Sequence, residues 1–222
     1  MSPPAIADPE SFIRVNTRLR PVPLVPEISI FVADEAVPLW QKTEEELNEV
    51  GLPPPFWAFA WAGGQALARY VLDHAELVAG KRVLDLASGS GLVGIAAMKV
   101  SAREVTAADI DRFAGVAARI NGAENRVSLT IFSDDLLRNA SDVQWDAILA
   151  GDIFYERDTA ELAFAFLKRQ AQSGAKILIG DPGRTYLPRD RLKHLAEYRV
   201  PVTRELEDAE IKRTSVWTIA AE

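Results

Sequence analysis

A mostly parallel α/β sheet finished by an antiparallel hairpin is the fold this sequence predicts, and three observations predict it. From residue 82 onward, short apolar runs alternate with longer mixed segments of helical period, the pattern of successive βαβ units. A glycine-rich stretch, DLASGSGLVG at 85–94, begins within the first of these runs and opens the helical segment after it. Near the C-terminus two strand-like runs are separated only by a short polar turn around residues 207–208, too short for a parallel crossover.

In chain order, residues 1–26 carry Pro3, Pro4, Pro9, Pro21, Pro23 and Pro26, and are expected to be an extended arm rather than a helix-strand unit. ISIFVA at 28–33 suits a short strand. Thr43 and Glu46 have capping-box spacing and Gly51 offers a stop, which predicts a short helix over about 43–50. A proline-aromatic stretch, 53–61, precedes Gly63 and Gly64. Apolar positions Leu67, Tyr70, Val71, Leu72 and Leu77 then predict a helix over 65–78. The expected division is an N-terminal extension, 1–50, and a main domain, 51–222. In the main domain the predicted strands are 82–87, 104–109, 127–132, 146–151 and 176–181. The predicted helices between them are 91–100, 112–123 and 157–172. A further helix is expected at 189–197, then strands at 198–206 and 211–220. Five parallel strands with such a hairpin make a Rossmann-like, seven-stranded sheet.

The composition is that of a globular chain: of 222 residues, 48% are hydrophobic and 26% charged, with a net charge of -7. That acidity argues against gripping nucleic acid through its phosphates. There is no cysteine, which excludes disulfides, thiolate metal sites and a cysteine nucleophile. The two histidines, His74 and His194, are too few for a histidine metal centre and are expected on amphipathic helices facing solvent. The N-terminus lacks a basic-then-apolar signal pattern, and no apolar run approaches the ~18 residues of a membrane span. A cytoplasmic location is expected.

Gly89, Gly91 and Gly94 spell GxGxxG, a motif common to dinucleotide sites and to other nucleoside cofactors. Asp85, four positions before Gly89, discriminates between them. A carboxylate beside this turn repels a diphosphate. It attracts a ligand with a cationic amino group and sulfonium, and so favours S-adenosyl-L-methionine (AdoMet) over NAD. The competing reading makes Asp85 a cap for the following helix. Asp109, at the end of the second strand, suits the ribose hydroxyls of either cofactor, and Asp111 suits the cap of the next helix. At the end of the third strand Asp134 or Asp135 is placed to accept the adenine amino group, with Asp135 preferred.

The fourth strand ends GDIFYE, residues 151–156. Ligands of open α/β sheets bind beyond the carboxyl ends of the strands, which puts Asp152 near a transferable methyl group. Phe154 and Tyr155 are expected to wall the site. Methyl transfer needs an oriented acceptor with a free lone pair rather than an enzyme nucleophile. Asp152 is read as the group that accepts an amine N–H and aims that lone pair; its competing role is a cap for helix 157–172. Arg184, in GDPGR, is expected either to meet an acidic substrate surface or to form an ordinary surface ion pair.

PFWAFAWAGGQALARYVLD (55–73), VLDLASGSG (83–91), AADID (107–111), GDIFYE (151–156) and GDPGR (180–184) together resemble the protein-lysine methyltransferases related to the electron transfer flavoprotein beta-subunit enzyme. The resemblance covers about residues 50–222. It implies a seven-stranded class I fold, AdoMet as methyl donor with S-adenosylhomocysteine as product, and lysines of a protein as acceptors. Carried onto matching positions, it implies that Asp152, Phe154 and Tyr155 lie at the substrate site and Trp61, Gly63 and Gly64 by the cofactor, whereas Trp57 is read as core. Two departures stand out. The targeting segment of mitochondrial members is missing, so a bacterial member is expected. Trp61, Ala62, Gly63 and Gly64 stand where a relative has WPGG. The alternatives are a ribosomal-protein or small-molecule amine acceptor, an NAD-dependent oxidoreductase and a non-catalytic binding module. The oxidoreductase is disfavoured because Tyr155 is followed four residues on by Thr159 rather than lysine.

Overall fold

The computed structural model describes residues 8–33, 54–139, 143–202 and 210–220. The helix expected at about 43–50 and the polar turn at 207–208 lie outside them.

Over its described residues, 8–26, the N-terminal segment is not an extended arm. It folds into helix α1 (Pro9–Asn16), then strands β1 (Arg18–Val22) and β2 (Val25–Val32), which pair as an antiparallel hairpin. The prolines permit this. Pro9 occupies the first turn of α1, where no N–H partner is needed, and Asp8 caps the helix by accepting the Ser11 N–H at 3.1 Å. Pro21 lies in a two-stranded sheet, whose strands are both edges, and Pro23 occupies the connecting turn. The expected strand at 28–33 is the second half of β2.

The main sheet follows from the alternation read in the sequence. Helix α2 (Ala62–Asp73) leads into β3 (Arg82–Leu86), α3 (Leu92–Lys99), β4 (Glu104–Ala108), α4 (Arg112–Glu124) and β5 (Thr130–Phe132). Then come β6 (Ala147–Gly151), α5 (Arg157–Gln172), β7 (Lys176–Asp181), β8 (Leu192–Pro201) and β9 (Ile211–Ile219). The seven strands are ordered β5-β4-β3-β6-β7-β9-β8. Strands β3 to β7 are parallel, and β9 is antiparallel to both β7 and β8.

One predicted helix is wrong. Over 189–197 there is only a short 3-10 turn, Arg189–Arg191, before β8 begins. The spacing of Leu192, Leu195 and Ala196 mimics a helix, but the run zips along β9 with a register shift between His194 and Ala196. A bulge of that kind breaks the period-2 pattern in the sequence. His194 therefore sits on a strand, edge-on to Trp217 at 5.0 Å. His74 ends α2, with its ring stacked on Tyr70 and Nδ1 2.9 Å from the Tyr70 carbonyl oxygen.

Alternate residues of β6 feed opposite cores, as the pleat requires. Leu149 joins Leu67, Ile95 and Leu178 beneath α2 and α3, and Ile148 joins Phe166, Leu167 and Ile177 beneath α5. Ile28 and Ile30 of β2 enter the first of these cores. Ile13 and Phe31 form a third cluster with Trp57, Phe113 and Ile120. Asn121 of α4 accepts the Phe31 N–H at 2.8 Å, fastening the hairpin to the main sheet's helices. Among the described residues, no helix is long and apolar enough to cross a membrane.

Candidate active site

The strand order reverses between β3 and β6, and a cavity of about 380 Å³ opens there at the carboxyl ends of the parallel strands. That is within the ~300–1,000 Å³ of small-molecule sites and at the position open α/β sheets use for ligands.

The glycine loop forms one wall. Ala87, Gly89 and Gly91 all have positive φ, at 53°, 49° and 76°. Gly91 precedes α3, and a side chain there would strike Ala118 of α4, with Cα 2.9 Å away. Asp85 is buried, lines the cavity and accepts the Gly94 N–H in the first turn of α3 at 2.8 Å. The competing reading, a cap for the following helix, is therefore met, by a side chain that also borders the cavity. Burial pushes its carboxyl up to about 8, against the pull of the Gly94 N–H.

Asp109 accepts the N–H groups of Gly89 at 2.9 Å and Asp111 at 3.0 Å, so it ties the second strand to the glycine loop. Burial raises it above the ordinary carboxylate range. Asp111 caps α4 through the Phe113 N–H, as expected, and burial lifts it to about 6. Asp134 and Asp135 both line the cavity. Asp135 is committed to its own turn, accepting the Leu137 and Arg138 N–H groups and pairing with the Arg138 guanidinium at 2.9 Å. Asp134 is exposed at the rim.

The opposite wall is built around Asp152. This residue follows β6 with φ at 55°, a left-handed conformation that costs a non-glycine residue about 1–3 kcal/mol. Three contacts hold it. Its N–H donates to the Gly180 carbonyl at 2.9 Å, Oδ2 accepts the Gly64 N–H at 2.9 Å, and Oδ1 accepts Nη2 of Arg184 at 2.8 Å. Asp152 thus caps α2 from another strand, meeting one of the N–H groups that a helix start leaves unpaired; it does not cap α5. Burial pushes its carboxyl up to about 6, opposed by Arg184 and reinforced by Asp181.

Gly63 and Gly64 have different reasons to be glycine. Gly64 lines the cavity, but Gly63 does not; a Cβ on it would lie 2.5 Å from Asp152 Oδ2 and closer still to the Gly180 carbonyl oxygen. Gly63, expected beside the cofactor, is therefore placed as a packing residue behind the cavity wall. Phe154 also departs from expectation. It is fully buried in the core under α5 because the turn after β6 directs it inward, while Tyr155 lines the cavity, 48% exposed, against Phe56 at 5.3 Å.

Trp61 lines the cavity, with Nε1 donating to the Phe56 carbonyl at 2.8 Å. Trp57 is buried and stacked on Phe113, as a core residue should be, with an edge on the cavity. Arg184 does not form an ordinary surface ion pair. It reaches back into the cavity to Asp152, with its guanidinium 5.6 Å from the Trp61 ring centre. One signal was available: GDIFYE and GDPGR end adjacent parallel strands, which brings Asp152 and Arg184 to the same sheet edge.

The family model described as "Ribosomal protein L11 methyltransferase (PrmA)" matches residues 65–178. The electron transfer flavoprotein beta subunit lysine methyltransferase of Xenopus laevis is 37% identical over 215 residues, covering 95% of this chain and 86% of that protein. Its counterpart in Homo sapiens is 34% identical over 219 residues, covering 95% and 82%. The crystal structure of ribosomal protein L11 methylase from Lactobacillus delbrueckii subsp. bulgaricus shares the fold, with a TM-score of 0.51 at 20% identity over 73% of this chain and 81% of that one. The chain is an AdoMet-dependent methyltransferase and belongs to the family of the electron transfer flavoprotein beta subunit lysine methyltransferases.

Proposed function

We propose that this enzyme methylates lysine side chains of a protein, the electron transfer flavoprotein beta subunit, in the cytoplasm and without a nucleic-acid or membrane partner. The observation that carries the reading is Asp152, a buried carboxylate clamped at the carboxyl end of β6 and facing the cofactor-sized cavity. The names of the relatives, 34–37% identical over most of this chain, support the substrate.

In this reading Asp85 faces the cationic amino-acid end of AdoMet and Asp109 the ribose. Asp135, held by its turn, and Asp134 border the adenine. Gly89 and Gly64 let the backbone come close, whereas Gly91, expected beside the cofactor, does not line the cavity and is glycine for its packing against Ala118; Trp61 offers an aromatic face. When bound, AdoMet supplies an electrophilic methyl carbon. The chain's own part is to hold the acceptor. Each Asp152 oxygen already has one donor but keeps a second lone pair for a substrate N–H. Tyr155 and Phe56 shield the approach from water.

The test is incubation of the pure enzyme with AdoMet and the purified beta subunit, read by peptide mass spectrometry, with ribosomal protein L11 and free amines in parallel. Methyl-lysine on the beta subunit is expected. Methylation of L11 alone would replace the proposal with the second reading, which the family model's match favours. Asp152→Asn keeps an acceptor for Gly64 and is expected to lower kcat by ~100-fold or more, with S-adenosylhomocysteine affinity nearly unchanged.

A further inference from the structure

We propose that Arg184 is a positioning residue: its ion pair with the Asp152 carboxylate keeps that carboxylate from holding an ammonium, so that the target lysine enters as the neutral amine. The inference rests on the lysine reading of the substrate.

The pair is built rather than incidental. Arg184 and Asp152 are 21% and 11% exposed, 2.8 Å apart, and both line the cavity. The Arg184 backbone is anchored as well. Asp181 Oδ1 accepts the N–H groups of Gly183 at 2.6 Å and Arg184 at 2.7 Å. Gly183 has φ at 95°, and the Arg189 guanidinium lies against it. The turn after β7 therefore aims the Arg184 guanidinium at the Asp152 carboxylate, with the Trp61 ring centre 5.6 Å away.

A lone buried carboxylate next to a lysine-binding channel would extract an ammonium from water and keep it protonated, with its lone pair blocked. A guanidinium cannot lose its proton in a protein, so Arg184 satisfies that demand permanently. The oxygens' remaining lone pairs then orient a neutral N–H. A free lysine is protonated below a pKa of about 10.4, so its proton must go to bulk water on entry.

Among the described residues, the charged and titratable groups around the pair come from these elements. β7 and its turn bring Asp181, Arg184 and Arg189. The turn after β6 brings Tyr155 and Glu156, with Asp109 of the β4 end acting on Tyr155. α2 brings only the Gly64 N–H, and the aromatic segment before it only the Trp61 ring. Asp181 adds a negative charge behind the pair, and Arg184 is the cation in contact with Asp152.

The test is calorimetric. The beta subunit is titrated into the S-adenosylhomocysteine complex at about pH 9.5, where a buried carboxyl without a cation is ionised but free lysine is still mostly protonated, in buffers of different ionisation enthalpy, which counts protons released on binding. Wild type is expected to release close to one proton per lysine bound, Arg184→Gln less than about half that, and Arg184→Lys, which keeps the cation, nearly the wild-type number. In single-turnover assays the pH midpoint of methylation should rise by about one unit in Arg184→Gln and return in Arg184→Lys. A parallel loss of rate at all pH values, with midpoint and proton count unmoved, would mean that Arg184 is only structural. An Arg184→Lys protein that behaves like Arg184→Gln would overturn the charge argument equally. A wild-type enzyme that methylates no lysine of the beta subunit sinks the substrate reading first, and the inference with it.

Discussion

Gly63→Ala isolates the contact on which the Asp152 geometry depends. The new Cβ would lie 2.5 Å from Asp152 Oδ2 and 2.8 Å from its Cγ, and still closer to the Gly180 carbonyl oxygen. Neither neighbour is the loose end of a flexible chain. One is a clamped carboxylate, the other sheet backbone. The start of α2 must therefore retreat by roughly 0.5–1 Å before the contact becomes tolerable, a typical overpacking response that costs about 1–3 kcal/mol. The same retreat stretches the Gly64 N–H bond to Asp152, now 2.9 Å, towards the limit of a hydrogen bond. Losing a bond to a charged group costs about 1.5–3 kcal/mol. Alanine's better helix propensity returns about 1 kcal/mol. The balance is a loss of about 1.5–5 kcal/mol, or roughly 3–20 °C in Tm for a chain of this size.

Thermal denaturation of the purified protein measures it, with Gly64→Ala as the control. A Cβ on Gly64 meets nothing nearer than Val93 Cγ2 at 4.0 Å, so that variant should melt at or slightly above wild type. A Gly63→Ala protein that melts as high as wild type would refute the packing assigned to α2 and Gly180.

Phe154→Ala should cost about 3–5 kcal/mol in chemical denaturation, as a fully buried ring does, whereas Tyr155→Ala should leave the midpoint nearly unmoved and act on KM. Asp85, raised to about 8, binds its proton more tightly folded than unfolded. Its contribution to stability is therefore complete below its ordinary pKa of 3.8 and lost as pH rises through about 8. Denaturation midpoints of the ligand-free protein should fall over that window, and Asp85→Asn should flatten the profile. A chain starting at residue 51, the expected boundary of the main domain, would lose Ile13, Ile28, Ile30 and Phe31 from two clusters. It should be insoluble or melt well below the full chain, by circular dichroism. If it folded with unchanged stability, the N-terminal unit would be dispensable.

The sheet was legible because its strands are buried on both faces and read as uninterrupted apolar runs, such as Ile148, Leu149 and Ala150, between segments of helical period. The N-terminal unit was not, because proline counts say nothing about position. Pro9 at the start of a helix and Pro21 on an edge are harmless, yet they look the same in sequence as prolines that break structure. β8 was misread because its bulge at His194 to Ala196 imitates a helical spacing. Within the site, the acids at strand ends were found because topology alone puts them there. Which face each side chain takes after the strand ends depends on turn geometry. The positive φ of Asp152 sends Phe154 into the core and leaves Tyr155 on the cavity. Pairing across strands, as between Asp152 and Arg184, required the strand order.

The glycine loop shows why the choice of AdoMet over a dinucleotide does not need a standing negative charge. A diphosphate binds such a loop through backbone N–H groups at the helix start. Here three of those donors are occupied: Gly94 N–H by Asp85, Gly89 N–H by Asp109, and Gly91 N–H by the Ser88 carbonyl at 2.7 Å. Expelling the acids would strand two buried carboxyls, so a diphosphate finds a cradle already partly filled by acceptors. Simple repulsion by Asp85, as expected from the sequence, is the weaker reason, since a carboxyl raised to about 8 is mostly protonated at neutral pH. A cationic ligand changes that balance. If its ammonium faces Asp85, as proposed, it would draw the proton off that carboxyl, and the pair would form where water is excluded and each charge counts for more. The loop thus carries little charge until the positive ligand arrives, and affinity for S-adenosylhomocysteine should tighten as pH rises from 6 towards 8 in wild type but not in Asp85→Asn.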